Sequence, residues 1–183
     1  MKRFFMYTFI SLAIFTMVNG ESMANSPVRQ EESVGANAPS FSVSNADGKT
    51  VSLEMLLSEK TAVVLNFWGL RCGACIEEIP HLNALYGKYG EWIEFLGVNV
   101  DAVDGAFLKE QMDKIGIVIE YEVIPDPEFS IADKYQLSAA PLTIVIDRNG
   151  LVRYRHENFE AGDEKKLEGV LESVLDGKKF VIK

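Results

Sequence analysis

The sequence predicts an α/β domain, with a central mixed β-sheet covered by helices on both faces. Three observations predict it. Unbroken apolar runs of strand length, "TAVVLNFW" and "WIEFLGVNV", alternate with segments whose apolar residues recur every three or four positions. Two turn signatures, Asp47-Gly48 and Asn149-Gly150, each lie between short β-prone stretches, so hairpins add antiparallel edges to parallel pairs. With 48% hydrophobic and 25% charged residues in 183, the chain has ordinary globular composition and enough apolar material for a core.

The chain opens outside that domain. Lys2 and Arg3 precede an apolar run from Phe4 to Val18, followed by small residues at Val18/Gly20 and Ser22/Ala24. These are the n-region, h-region and two cleavage choices of a signal peptide. The run is short for a spanning helix, which needs about 20 apolar residues. Residues 1–24 are therefore expected to be a signal peptide, with an uncleaved membrane anchor as the alternative. No cysteine stands directly after the run, so a lipoprotein anchor is not expected. Cleavage after Ala24 would remove Lys2, Arg3 and Glu21 and take the net charge from −9 to −10. Residues 25–33 are polar and read as a linker into a domain over 34–183.

Within the domain, "FSVSNADGKTVSL" alternates around Asp47-Gly48 and is expected to be a hairpin. "TAVVLNFW" has the unbroken apolar character of a strand buried on both faces. From Cys75 to Tyr89 the apolar positions Ile76, Ile79, Leu82, Leu85, Tyr86 and Tyr89 mark a helix. "WIEFLGVNV" is a second buried strand, and "AFLKEQMDKIG" a helix ended by Gly116. A short strand "IEYEVI" stops at Pro125, and "PEFSIADKYQL" is expected to be helical. "PLTIVIDRNGLVRYRH" is a hairpin, and "DEKKLEGVLESVL" a closing helix with Asp163 as its N-cap.

Charge narrows the function. Against 27 acidic residues stand 18 basic ones, with no basic run, so nucleic acid is a poor partner. The chemistry rests on Cys72 and Cys75, the only cysteines. As a clip they would do little, because so short a loop removes little unfolded-chain entropy. A closed zinc site needs four ligands. Besides the cysteines the chain offers only His81 and His156, and His81 falls about 240° round the helix from Cys75 at roughly 100° per residue. Redox chemistry fits the placement. Cys72 sits where strand gives way to helix, and Cys75 in the first turn, where free N–H groups and the helix dipole stabilise a thiolate. Arg71 adds a cation beside Cys72, which should ionise more readily than a free cysteine. Cys75 is close enough to attack a mixed disulfide formed on Cys72.

"NFWGLRCGAC", "EEIP" and the downstream "SAAPLTIVIDRNG" together resemble the thioredoxin superfamily, and more narrowly its exported TlpA/ResA/CcmG-like thiol-disulfide oxidoreductases, over roughly Val34 to Lys183. The resemblance implies a thioredoxin fold with an N-terminal β-hairpin and, from Asp101 to Gln136, a central βα insertion. Peroxiredoxin is a poorer match, since no threonine precedes a lone peroxidatic cysteine in the required pattern. Cys72 would attack and Cys75 resolve, alternating between dithiol and disulfide. Pro141 would be a cis-proline beside the motif, turning the Ala140 backbone toward a substrate strand. Glu78 matches a family carboxylate. At i, i+3 it shares a helix face with Cys75 and is the expected base for that thiol, whereas Glu77 would only complement the helix end. Pro80 would kink the helix.

Arg71 and Trp68 join Ala140 as expected substrate-side residues, Trp68 mainly through packing, and His156 is expected to be structural. Three positions depart from the commonest pattern. Ala74 replaces a proline, Arg71 a tryptophan, and Asn66 the buried aspartate of thioredoxin itself, which shifts proton removal from Cys75 toward Glu78 or water. The implied function is a periplasmic or extracytoplasmic reductant of protein disulfides, with anchoring to the membrane by the N-terminal segment as the alternative to release. Its substrates would include apocytochrome c in cytochrome c maturation, and a membrane electron donor would recharge it. A monomer without cofactor or metal is expected. The alternatives are an oxidant or isomerase of exported proteins and a metal-binding chaperone.

Overall fold

The computed structural model describes residues 34–45 and 48–176. The expected leader (1–24), linker (25–33), the turn residue Asp47 and the last residues, 177–183, lie outside the described residues.

A five-stranded sheet organises the domain. Its strands are β3 (Ala62–Trp68), β4 (Ile93–Asn99), β5 (Glu122–Pro125), β6 (Leu142–Asp147) and β7 (Val152–Glu157), in the order β5-β4-β3-β6-β7. β3, β4 and β5 run parallel, while β6 and β7 add antiparallel neighbours, which makes the mixed sheet the sequence calls for. β3 lies at the centre with every residue buried, as its unbroken apolar run requires. A separate hairpin pairs β1 (Ser42–Ser44) with β2 (Thr50–Ser52), and Gly48 at φ 75° supplies its left-handed turn.

Alternation along β3 splits the core into layers. Val63, Leu65 and Phe67 face the hairpin and α1 (Leu53–Glu59). Ala62 and Val64 face α2 (Gly73–Tyr89) and α4 (Asp163–Leu175), packing on Leu82, Leu85, Leu167 and Leu171. At the C-terminal end of β3, Trp68 packs with Cys75, Ile79 and Leu108, the last from α3 (Gly105–Ile115). Register also lays one row across the sheet, from Gly97 through Asn66 and Thr143 to His156. Three of these four are polar, on the face that α2 and α4 cover.

One helix is added to the sequence reading and two local expectations need correction. Residues 53–59 form α1, a helix the alternating pattern hides. Ser52 caps it by accepting the Met55 N–H at 3.2 Å. "PEFSIADKYQL" is a succession of turns and not a helix. The buried Asp126 carboxylate accepts from Ser130 Oγ and from the N–H groups of Ile131 and Ala132, each at 2.9 Å. Phe129 at φ 56° and Gln136 at φ 51° break helical continuity on either side. The Arg155 guanidinium then caps the carbonyls of Tyr135 and Gln136. Asp163 is not an N-cap either. Gly162 takes that position at φ 111°, and Asp163 is the first helical residue, its side chain turned back to accept the Glu160 N–H at 3.0 Å.

Candidate active site

Cys72 is the N-cap of α2 and forms a disulfide with Cys75, with a Cα–Cα distance of 5.2 Å. The Cys75 N–H points at Cys72 Sγ, 3.2 Å away, so the helix terminus already directs a donor at the sulfur that would carry negative charge. Cys72 is half-buried, whereas Cys75 is 1% exposed. Only the first thiol can meet a protein substrate.

The loop between β3 and α2 is braced by a residue the sequence does not advertise. Asp101 accepts the Leu70 N–H at 2.6 Å and Asn99 Nδ2 at 2.7 Å. A Cβ on Gly69 would stand 3.3 Å from Asp101 Oδ1, so glycine allows this close approach. Arg71 is exposed at the surface beside Cys72. The Ala140–Pro141 bond is cis, and Ala140 packs against the same cluster as Cys72. Trp68 does not belong on the substrate side. It is 0% exposed beneath Cys75, and a ring with no surface cannot touch a bound chain.

Glu78 lies on the buried face of α2 with Cys75, while Glu77 is exposed. The helix runs on through Pro80 to Tyr89. The Glu78 carboxylate accepts from Thr143 Oγ1 at 2.7 Å and from Asn66 Nδ2 at 2.9 Å. Asn66 Nδ2 also donates to Thr143 Oγ1, at 3.2 Å, closing a buried triangle. Burial pushes the Glu78 carboxyl up to about 7, against the opposing pull of the Thr143 and Asn66 hydrogen bonds. A carboxyl poised near neutrality, one turn from a buried thiol, can take up and release that thiol's proton.

Asn66 stands where thioredoxin itself has an acid. Here it positions the acid that α2 supplies. Thr143 escapes sequence reasoning, although a hydroxyl two residues after Pro141 in an otherwise apolar run is a usable signal. His81 stacks on Phe159, with ring centroids 5.2 Å apart, and His156 bonds Asp163 Oδ2 at 2.9 Å. Among the described residues no group of three His, Cys, Asp or Glu side chains could hold a metal.

The sequence profile of the family described as AhpC/TSA matches residues 34–155. The thiol-disulfide oxidoreductase ResA of Bacillus anthracis is 30% identical over 147 residues, covering 80% of this chain and 81% of that protein. The ResA of Bacillus subtilis strain 168 is 29% identical over 154 residues, covering 82% and 83%. A crystal structure described as a thiol:disulfide interchange protein DsbE from Chlorobium tepidum superposes with a TM-score of 0.69. It is 28% identical and covers 78% of this chain and 97% of that one.

Proposed function

Because the chain belongs to the AhpC/TSA family and is a thiol-disulfide oxidoreductase of thioredoxin fold, we propose that it is exported and reduces protein disulfides outside the cytoplasm. The observation that carries the direction is the buried Glu78. A carboxyl on the same buried face as Cys75 makes a thiolate there costly once both ionise. Strong oxidants of this chemistry owe their potential to a stabilised reduced form. Destabilising the dithiolate works the opposite way and favours handing electrons on.

The reaction follows from the placement. The Cys72 thiolate attacks one sulfur of the target disulfide and forms a mixed disulfide. Glu78 takes the Cys75 proton, and the Cys75 thiolate then attacks Cys72 Sγ, closing the enzyme disulfide and releasing substrate. The Ala140 backbone beside Pro141 pairs with the substrate segment, and exposed Arg71 borders it. Cysteine pairs of apocytochrome c are the substrate class, and a membrane-bound thiol donor recharges the pair. The leader at 1–24 carries the export reading; no helix of the described residues is long and apolar enough to cross a membrane.

Two measurements test this. Cys75→Ser should trap a mixed disulfide with substrate and Cys72→Ser should trap none. The reverse result overturns the roles. Equilibration with defined glutathione ratios should leave the pair oxidised except under strongly reducing mixtures. A potential near the about −120 mV of a strong oxidant such as DsbA would make it an oxidant instead.

A further inference from the structure

Glu78 is only 5% exposed, and it borders a small crevice. The crevice is lined by Glu78, His81, Thr143, Tyr154, His156 and Asp163, among others. About 10 Å³ of it is open to a water-sized sphere, room for one water molecule. Around the disulfide, the side chains of Trp68, Cys75, Ile79 and Leu108 form an apolar cluster. The hydrogen-bond partners of Glu78 offer no ready way out. Asn66 gives both of its bonds through Nδ2, and the one hydroxyl proton of Thr143 is committed to Glu78 itself.

His156 stands next to Thr143 in the sheet register and lines the same crevice. Asp163 holds its ring through Nε2, and Asp163 is itself fixed by Lys166 Nζ at 2.8 Å and the Glu160 N–H at 3.0 Å. An imidazole oriented by a carboxylate is the side chain best suited to pass protons near neutral pH. We propose that this crevice is the proton exit of the active site, with His156, oriented by Asp163, relaying the Glu78 proton through one water to bulk solvent. The proposal rests on Glu78 being the base for Cys75.

The step balances. Cys75 S–H gives its proton to the Glu78 carboxylate, and the resulting thiolate attacks Cys72 Sγ. The Cys72–substrate S–S bond breaks as the Cys72–Cys75 bond forms, and the electron pair leaves on the substrate sulfur, which takes a proton from solvent. Neutral Glu78 returns to carboxylate by passing its proton to the crevice water, to His156 and out. The other titratable groups facing this path are His81 from α2, Tyr154 from β7, and Asp163 and Glu164 from α4. Tyr121, leading into β5, is within electrostatic reach of Glu78.

The test follows decay of a preformed mixed disulfide by rapid mixing at pH 6 and pH 8.5, in dilute non-nucleophilic buffer. At pH 6 most Glu78 carboxyls begin protonated, given their value of about 7, and resolution must wait for that proton to leave. Wild type should decay in one phase at both values. His156→Gln should split at pH 6 into a fast phase, with the amplitude of the ionised fraction, and a phase slower by about tenfold or more. Added imidazole should abolish the slow phase, and pH 8.5 should show none. His81→Gln should match wild type.

His156 is on an edge strand with its side chain 28% exposed, which favours folding of the variant. Asp163→Ala, which keeps the imidazole but removes the acceptor that orients it, is the second variant and should give a weaker slow phase. Single-phase decay of His156→Gln at both pH values overturns the relay, and so does a slow phase that imidazole cannot relieve or that appears in His81→Gln instead. Glu78→Gln separates the two readings. Slow resolution there, with no effect at His156, removes the relay alone, whereas wild-type decay there removes the base and the relay with it.

Discussion

Replacing Glu78 by glutamine in the oxidised protein should change how stability depends on pH, and the size of the change follows from the burial. Glu78 is 5% exposed, and its carboxyl is raised from an ordinary 4.5 to about 7. A carboxyl raised in the native state binds its proton more tightly folded than unfolded. Its protonated form therefore contributes no penalty below about pH 4.5. As pH climbs from there to about 7 the unfolded chain ionises first, and native stability falls. At ~1.4 kcal/mol per pH unit the loss is about 3 kcal/mol, complete above pH 7.

Glutamine cannot ionise, so the variant lacks this slope. It does carry a constant offset. Its amide oxygen can accept from Asn66 Nδ2 or Thr143 Oγ1 but not from both, and one lost buried hydrogen bond costs about 1 kcal/mol. The variant should thus be slightly less stable than wild type at pH 4.5 and more stable, by about 2 kcal/mol, at pH 8.5. Urea unfolding of both oxidised proteins across that range measures the difference, and the other titrating groups cancel between them. A difference constant from pH 4.5 to 8.5 would refute the reasoning, because Glu78 would then not titrate near neutrality in the folded protein.

Thr143→Val keeps the shape but removes the 2.7 Å donor that pulls the Glu78 carboxyl down. The pH midpoint of mixed-disulfide resolution should rise by about one pH unit, and a midpoint that stays or falls would show that Thr143 does not hold the charge. Asp126→Ala strips the acceptor from two buried N–H groups and a hydroxyl. Urea unfolding should show a loss of about 2–5 kcal/mol, and a loss under about 1 kcal/mol would mean the turns at 127–137 hold themselves.

The sheet, the two hairpins and the thiol pair are legible in the sequence because the signals are local. "TAVVLNFW" is apolar throughout because β3 is buried on both faces, and Cys72 and Cys75 announce themselves by spacing alone. Even Glu78 can be placed beside Cys75, since a helix fixes i, i+3 neighbours wherever it lies. "PEFSIADKYQL" shows where local reasoning stops. Its residues suit a helix, yet the Asp126 side chain captures the N–H groups of Ile131 and Ala132, while Arg155, from β7, takes the carbonyls of Tyr135 and Gln136. Trp68 reads as a motif residue because sequence carries no depth, and only packing puts it wholly under Cys75.

By itself, then, the sequence determined the strand and helix periods, the turns and the identity of the redox pair, each set by residues within a few positions of one another. Tertiary structure decided what surrounds that pair. Glu78 draws its hydrogen bonds from Asn66, 12 residues away, and Thr143, 65 away, because β3 pairs with β6 in the register that sets Asn66 against Thr143. His156 reaches the same crevice because β7 pairs one strand further out, where α4 brings Asp163 to it. Strand register is a property of the whole packed sheet, fixed by which faces are buried. No short stretch of the chain contains it, and the environment that brings a carboxyl near neutrality exists only once the layers close.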